Sequence, residues 1–226
     1  MFPRTGKEMT PIILASGSPR RRELVRFLGV PFEVVEPETI ESTVRGGDAS
    51  GMASTLARMK AMAVAELGRE NVIVAADTLV VLRGQVMGKP PDAAAARGML
   101  LDLRSGEHQV VTGLAVIHPS ASAPIVQAVE TRVWMRQYDD EEISKYIDRG
   151  EPFDKAGAYA IQDPNFDPVE RIEGCYANVM GLPLCHLFKT LRGMGPFPPV
   201  PPAQACEAYT NRSCPVTERI LQSEGH

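Results

Sequence analysis

Apolar and polar positions alternate along the chain with several distinct periods. Ile12-Ile13-Leu14-Ala15 is apolar at every position, the pattern of a strand covered on both faces. Ser18-Pro19 follows at once, and this pair predicts a helix start with Ser18 as cap and proline in the first turn, running to about Leu28. Phe32 to Val35 reads as a second strand. From Ala49 to Leu67 the residues Met52, Leu56, Met59, Ala63 and Leu67 recur at spacings of three and four, which predicts a long amphipathic helix. Val72 to Leu82 is rich in β-branched residues and apolar on both parities, as a central strand would be, and Arg83-Gly84 reads as a turn into Gln85-Val86-Met87.

Asp92 to Leu103 reads as a further helix with Asp92 as its cap. Strands over His108 to Ile117 and Ile125 to Arg136 follow, then a helix capped by Asp139 that reaches about Ile147. Asp163-Pro164-Asn165-Phe166-Asp167-Pro168 is loop chemistry. Val169 to Glu173 reads as a short strand and Leu182 to Arg192 as a closing helix. After Gly193 the prolines of Gly-Pro-Phe-Pro-Pro-Val-Pro-Pro can feed neither a sheet ladder nor a helix interior. The expected organisation is an N-terminal extension over 1–10, one domain over 11–192, and a proline-rich disordered tail over 193–226.

The 226 residues are 44% hydrophobic and 23% charged, an ordinary globular composition. A net charge of −4 argues against a surface that coats nucleic acid, so cations for an anionic ligand must be concentrated locally. The longest apolar stretch is broken by Asp77 and falls well short of the ~20 residues of a membrane-spanning helix. The apolar run after Arg4 and Lys7 is also too brief for a secretory signal, so a cytoplasmic location is expected. Cys175, Cys185, Cys206 and Cys214 show neither CxxC pairing nor zinc-finger spacing and read as free thiols. The four histidines are scattered, and none is assigned to catalysis or metal binding.

Several residues are misplaced for a purely structural role. Ser16-Gly17-Ser18-Pro19-Arg20-Arg21-Arg22 lies where a strand turns into a helix, a place where backbone N–H groups and arginines can hold an anion. Helical spacing puts Arg22 and Arg26 toward solvent and lets Arg20 and Arg21 point into a cleft. Lys60 falls on or beside the apolar face of its helix, where a snorkelling stem is the ordinary explanation. Asp77 is sharper, because a carboxylate inside Val-Ile-Val-Ala-Ala-Asp-Thr-Leu-Val-Val is costly to bury unless it is paired, metal-bound or at a cleft. Lys89 and Lys155 each sit near a glycine and can reach a phosphate as point charges. No Walker spacing, GxGxxG or GxSxG is present.

Ser18-Pro19-Arg20-Arg21, Glu41, Lys60, Ala76-Asp77-Thr78, Gly88-Lys89-Pro90, Thr112-Gly113, Asp154-Lys155-Ala156-Gly157 through Gln162, and Asn178 to Pro183 together resemble, in order and spacing, the Maf family of nucleoside triphosphate pyrophosphatases. The resemblance covers about Ile12 to Leu191. It implies an α/β fold of the inosine-triphosphate-pyrophosphatase type, a long mixed sheet flanked by helices in two lobes around a cleft, often as a homodimer. It also implies attack of water on the α-phosphorus, giving the monophosphate and pyrophosphate with a divalent cation, Mg²⁺ or Mn²⁺.

In that resemblance Asp77 is the general base and, with Glu41, a metal ligand. Ser18, Arg21, Lys60, Lys89 and Lys155 hold the phosphates, while Arg20, Thr78 and Gln162 match the subgroup that resembles dTTP/UTP pyrophosphatases. The subgroup resembling 7-methyl-GTP pyrophosphatases has Gln after the catalytic Asp, which this chain lacks. Modified pyrimidine triphosphates are further expected substrates of a house-cleaning enzyme. Asp163 to Pro168 departs from the family's glycine-rich stretch, and Cys175 stands where serine is common. Two alternatives remain open here: a nucleotide-binding regulator of septum formation or cell shape that needs no turnover, and a pyrophosphatase with another base preference. Neither nucleic acid nor membrane is an expected partner.

Overall fold

A computed structural model describes residues 11–38, 48–68, 70–192, 194 and 200–222. Its centre is a seven-stranded mixed sheet, built from β1 (Ile12–Ala15), β2 (Phe32–Val34), β3 (Ile73–Leu82), β4 (Gln85–Met87), β5 (Glu107–Ile117), β6 (Ile125–Met135) and β7 (Val169–Glu173). The order is β2-β1-β3-β5-β6-β7, with β4 on the edge of β3. β1 is parallel to both of its neighbours, whereas β3, β5, β6 and β7 are antiparallel in turn. Two halves of different character therefore meet at β3.

Because side chains alternate across a strand, Ile12, Leu14, Val74 and Val80 enter the large core, and Ile13, Ala15, Ile73 and Ala75 face the other way. That second face is covered by the long helix α2 (Ala49–Ala65), through Ala57, Ala61 and Val64. On the first face lie α1 (Pro19–Val25), α3 (Ala93–Leu103), α4 (Asp140–Asp148), the single turn α5 (Tyr176–Val179) and α6 (Leu184–Arg192). Asp48, Asp92 and Asp139 accept from backbone N–H groups in the first turns of α2, α3 and α4, and Asp139 completes a capping box with Glu142.

Gly113 of β5 sets how closely α2 approaches. A Cβ there would lie 2.0 Å from the carbonyl oxygen of Ala53, so α2 rests directly on the backbone of the sheet. No other residue type leaves room for that contact.

The strand and helix expectations agree with the observed elements to within a few residues. The C-terminal region differs. Instead of an unstructured tail, the described residues 200–222 carry α7 (Ala203–Thr210) and α8 (Thr217–Gln222), and Val216 joins the main core. Pro201 and Pro202 stand just before α7 and Pro215 just before α8, so neither helix carries a proline in its interior. No described helix is long and apolar enough to cross a membrane.

Candidate active site

The register explains where a cleft can form. β1 pairs with β3 only as far as Ala15↔Ala75, and β4 begins its pairing at Val80. Between them, the edge of β3 from Ala76 to Leu79 has no strand beside it among the described residues. A cleft of about 460 Å³ opens at this gap, within the usual range of small-molecule sites. Its lining includes Ser18, Arg20, Arg21, Lys60, Asp77, Thr78, Lys89, Lys155 and Gln162. The structure thus brings together every sequence-predicted site residue except Glu41, which lies outside the described residues.

Asp77 points toward α2, where Lys60 Nζ donates to its Oδ1 at 2.5 Å. Both side chains are about nine-tenths buried. The apolar position of Lys60 therefore reflects a partner and not a snorkelling stem, and removing either member of such a pair is costly. Thr78, next along the strand, faces the opposite side, toward α1.

Arg21 is held from three directions. Its Nε donates to the Gly181 carbonyl at 2.7 Å, one Nη donates to Thr78 Oγ1 at 2.9 Å, and the other to Ser16 Oγ at 3.4 Å. Gly181 has φ +107°, and a Cβ there would lie 3.3 Å from Arg21 Nε, so glycine permits this approach. Thr112 donates its only hydroxyl hydrogen to the Asn178 carbonyl. Thr78 must then donate to Thr112 across their 2.9 Å contact. Thr78 is left with no hydrogen to give a bound base, and its position serves the orientation of Arg21. The network continues inward, where Asn178 Nδ2 donates to the Val110 carbonyl and to Thr131 Oγ1.

Ser18 is extended at the start of α1, yet its side chain makes no capping bond, and its N–H donates to Ser16 Oγ. α1 has only seven residues, so arginine side chains rather than a long helix dipole carry the attraction for an anion.

Opposite α1, Lys155 donates to Asp154 Oδ1 at 2.6 Å, to Glu151 Oε2 at 3.2 Å and to the Glu151 carbonyl. Arg20 lies 3.6 Å from the other Asp154 oxygen. Burial alone would raise the Asp154 carboxyl, but the Lys155 hydrogen bond and the Arg20 and Lys155 charges bring it below its ordinary value. Asp154 was not singled out from the sequence, although its position beside Lys155 was a usable signal.

The wall that presents Gln162 is anchored from behind. Tyr159 OH meets His108 Nε2 at 2.7 Å inside the core. Asp163 Oδ1 accepts from Arg149 and from the N–H groups of Asn165 and Phe166, while Phe166 stacks on Tyr146 with ring centroids 4.5 Å apart. The residues that replace a glycine-rich stretch are therefore a pinned turn.

Among the described residues the cleft lining holds five cationic side chains, Arg20, Arg21, Lys60, Lys89 and Lys155, against four acids, Glu36, Glu38, Asp77 and Asp154. A triphosphate brings more negative charge than this balance offsets. That excess, and hard carboxylate oxygens beside it, fit a divalent cation shared between protein and phosphates. Among the described residues no group of three or more His, Cys, Asp or Glu side chains is placed to hold a metal ion.

The profile of the family described as Maf-like protein matches residues 11–194. The dTTP/UTP pyrophosphatase of Geotalea uraniireducens is 48% identical over 184 residues, 81% of this chain and 95% of that protein. That of Thermomicrobium roseum is 44% identical over 214 residues, 94% of this chain and 96% of the relative. Among solved structures, the Ham1 protein of Staphylococcus aureus aligns at 15% identity with a TM-score of 0.38, covering 55% of this chain and 71% of that one. A HAM1 protein from Coxiella burnetii gives 17% and 0.40, covering 57% and 75%.

Proposed function

The chain belongs to the Maf family, and on that premise we propose that it hydrolyses dTTP and UTP to the nucleoside monophosphate and pyrophosphate. The observation that carries this reading is the placement of Asp77 on the open edge of β3, in one cleft with Arg21, Lys89 and Lys155. Similarity to dTTP/UTP pyrophosphatases supplies the base preference.

Phosphoryl transfer needs positioning and charge stabilisation more than covalent chemistry. In this reading Ser18, Arg21, Lys60, Lys89 and Lys155 align the triphosphate so that its α-phosphorus faces a water molecule near Asp77. Asp77 takes the proton as that water attacks, the bond from the α-phosphorus to the bridging oxygen breaks, and pyrophosphate leaves against Arg21 and the lysines. Lys155 would exchange part of its contact with Asp154 and Glu151 for phosphate oxygens. Gln162 offers one acceptor and one donor, complementary to N3–H and a carbonyl of uracil or thymine. Arg20, tied to Asp154, would stand at the same end of the cleft.

Asp77 and Glu41 would hold the divalent cation, Mg²⁺ or Mn²⁺, which when bound supplies positive charge at the phosphates and acidifies water. The enzyme in this reading works as a cytoplasmic homodimer, and light scattering of the purified chain gives its oligomeric state.

A chromatographic survey of dTTP, UTP, CTP and GTP with Mg²⁺, on wild type and Asp77→Asn, tests the assignment. Pyrophosphate released from dTTP and UTP, and lost in a variant that still unfolds cooperatively at a Tm lowered by the loss of the Lys60 partner, is the expected result. Orthophosphate as product would exclude the reaction, and equal rates on purines would exclude the base assignment.

A further inference from the structure

The segment 200–222 lies beyond the matched family region, yet it touches the two elements that Arg21 joins. One grip is on α1 and the turn after it. Glu23 stands near the Tyr209 hydroxyl and, after burial, helps push its pKa up to about 12; the Tyr209 ring lies 5.2 Å from that of Phe27, and Val200 N–H donates to the Leu28 carbonyl at 3.1 Å. Glu23 follows Arg21 by two residues, about 200° around the helix, so this grip is on the side of α1 away from the cleft.

The other grip is on α5. The Arg212 guanidinium lies 5.6 Å from the Tyr176 ring centroid, and Tyr176 OH donates to the Ile161 carbonyl, next to Gln162. The chain between the grips is itself fixed: Asn211 ends α7 in a left-handed conformation, Cys214 N–H donates to Glu207 Oε1 at 2.7 Å, and α8 packs on α6.

On the cleft side, Arg21 ties α1 to the Gly181 carbonyl just after α5. On the outer side, Tyr209 and Arg212 tie the same two elements through α7. Two elements joined on one side only can open like a hinge, and a second tie opposite the first removes that freedom. A guanidinium that must meet a phosphate within hydrogen-bond distance depends on that restraint.

We propose that residues 200–222 form a clamp behind the cleft, with Tyr209 and Arg212 as positioning residues that hold the Arg21 guanidinium for the substrate phosphates. The proposal rests on the pyrophosphatase reading for its kinetic readout only. Tyr209→Ala and, separately, Arg212→Ala are made in the full chain, alone and in an Arg21→Ala background, and assayed on UTP with Mg²⁺. The loss of one aromatic or cation–π contact is expected to raise KM about fivefold with kcat within about twofold, in a background-dependent way. In Arg21→Ala, neither tail variant should change KM further. Equal effects in both backgrounds, or a fall in kcat that tracks Tm, would overturn the clamp.

Amide exchange read on the same variants is independent of turnover. Residues 19–25 and 176–182 should exchange faster in Tyr209→Ala while β5 and β6 keep their protection, and unchanged exchange at both segments would likewise overturn the proposal. If wild type turns over no UTP but exchange responds as stated, the functional reading fails and the clamp stands as structure.

Discussion

A hydroxyl with one hydrogen can serve one acceptor, and this decides what Thr78 does. Thr112 gives its hydrogen to the Asn178 carbonyl, Thr78 gives its own to Thr112, and Arg21 donates to Thr78. Thr78→Val should therefore raise KM for UTP and CTP by the same factor, about tenfold for the loss of one charge-assisted hydrogen bond. A changed ratio of UTP to CTP in steady-state kinetics would put Thr78 at the base instead.

His108 carries a different consequence. Burial lowers its pKa to about 4, against a smaller upward pull from Glu107, and its Nδ1 is buried without a partner among the described residues. Between that value and its ordinary 6.5 the folded protein keeps the ring neutral while the unfolded chain binds a proton. The unfolded state holds more protons there, so stability rises with pH through the window and is lost as pH falls. Wild type should lose roughly 2 kcal/mol of unfolding free energy between pH 7 and pH 5 from this group, read from urea midpoints. His108→Gln should flatten that slope, and an unchanged slope would remove His108 as its source.

At the level of elements, the Lys60–Asp77 contact depends on how α2 lies on β5. Gly113 allows the Ala53 carbonyl to rest against the sheet, and a methyl group at that point must push the helix outward. Gly113→Ala should cost about 1–3 kcal/mol of stability, as overpacking commonly does, and should lower kcat because Lys60 moves with the helix. Thermal melting together with kcat measures both, and a variant with wild-type values for each would contradict the close seating of α2.

The elements were also where sequence patterns read most clearly. A run apolar on both parities marks β3 because both its faces are covered, and a spacing of three to four marks α2 because it buries one face. Asp92 and Asp139 were legible as caps for the local reason that orphan N–H groups need acceptors, a role Asp48 also plays at the start of α2. The seat of α7 and α8 was hidden. Those helices are short, their flanking prolines read as an unstructured tail, and what fixes them is distant in sequence: Phe27 against Tyr209, Leu28 against Val200, and Val216 in the core.

Across the molecule, a chain of net charge −4 gathers, among its described residues, five cations at one gap in its sheet and sets four acids among them. Asp77 and Lys60 could be picked out beforehand because each breaks an apolar pattern. The partners of Arg21 could not, since Gly181 stands 160 residues away and Thr78 57 residues away, and only the folded topology brings them together. Glu41 lies outside the described residues, so its place beside Asp77 rests on the family resemblance.

The central claim is that this cleft directs water to the α-phosphorus of a pyrimidine nucleoside triphosphate. Hydrolysis of UTP in ¹⁸O-labelled water, with mass analysis of both products, tests it most directly. The label should appear in UMP and not in pyrophosphate. Label in pyrophosphate, or in released orthophosphate, would place the attack on a different phosphorus and contradict the arrangement of Asp77, Arg21 and the lysines described above.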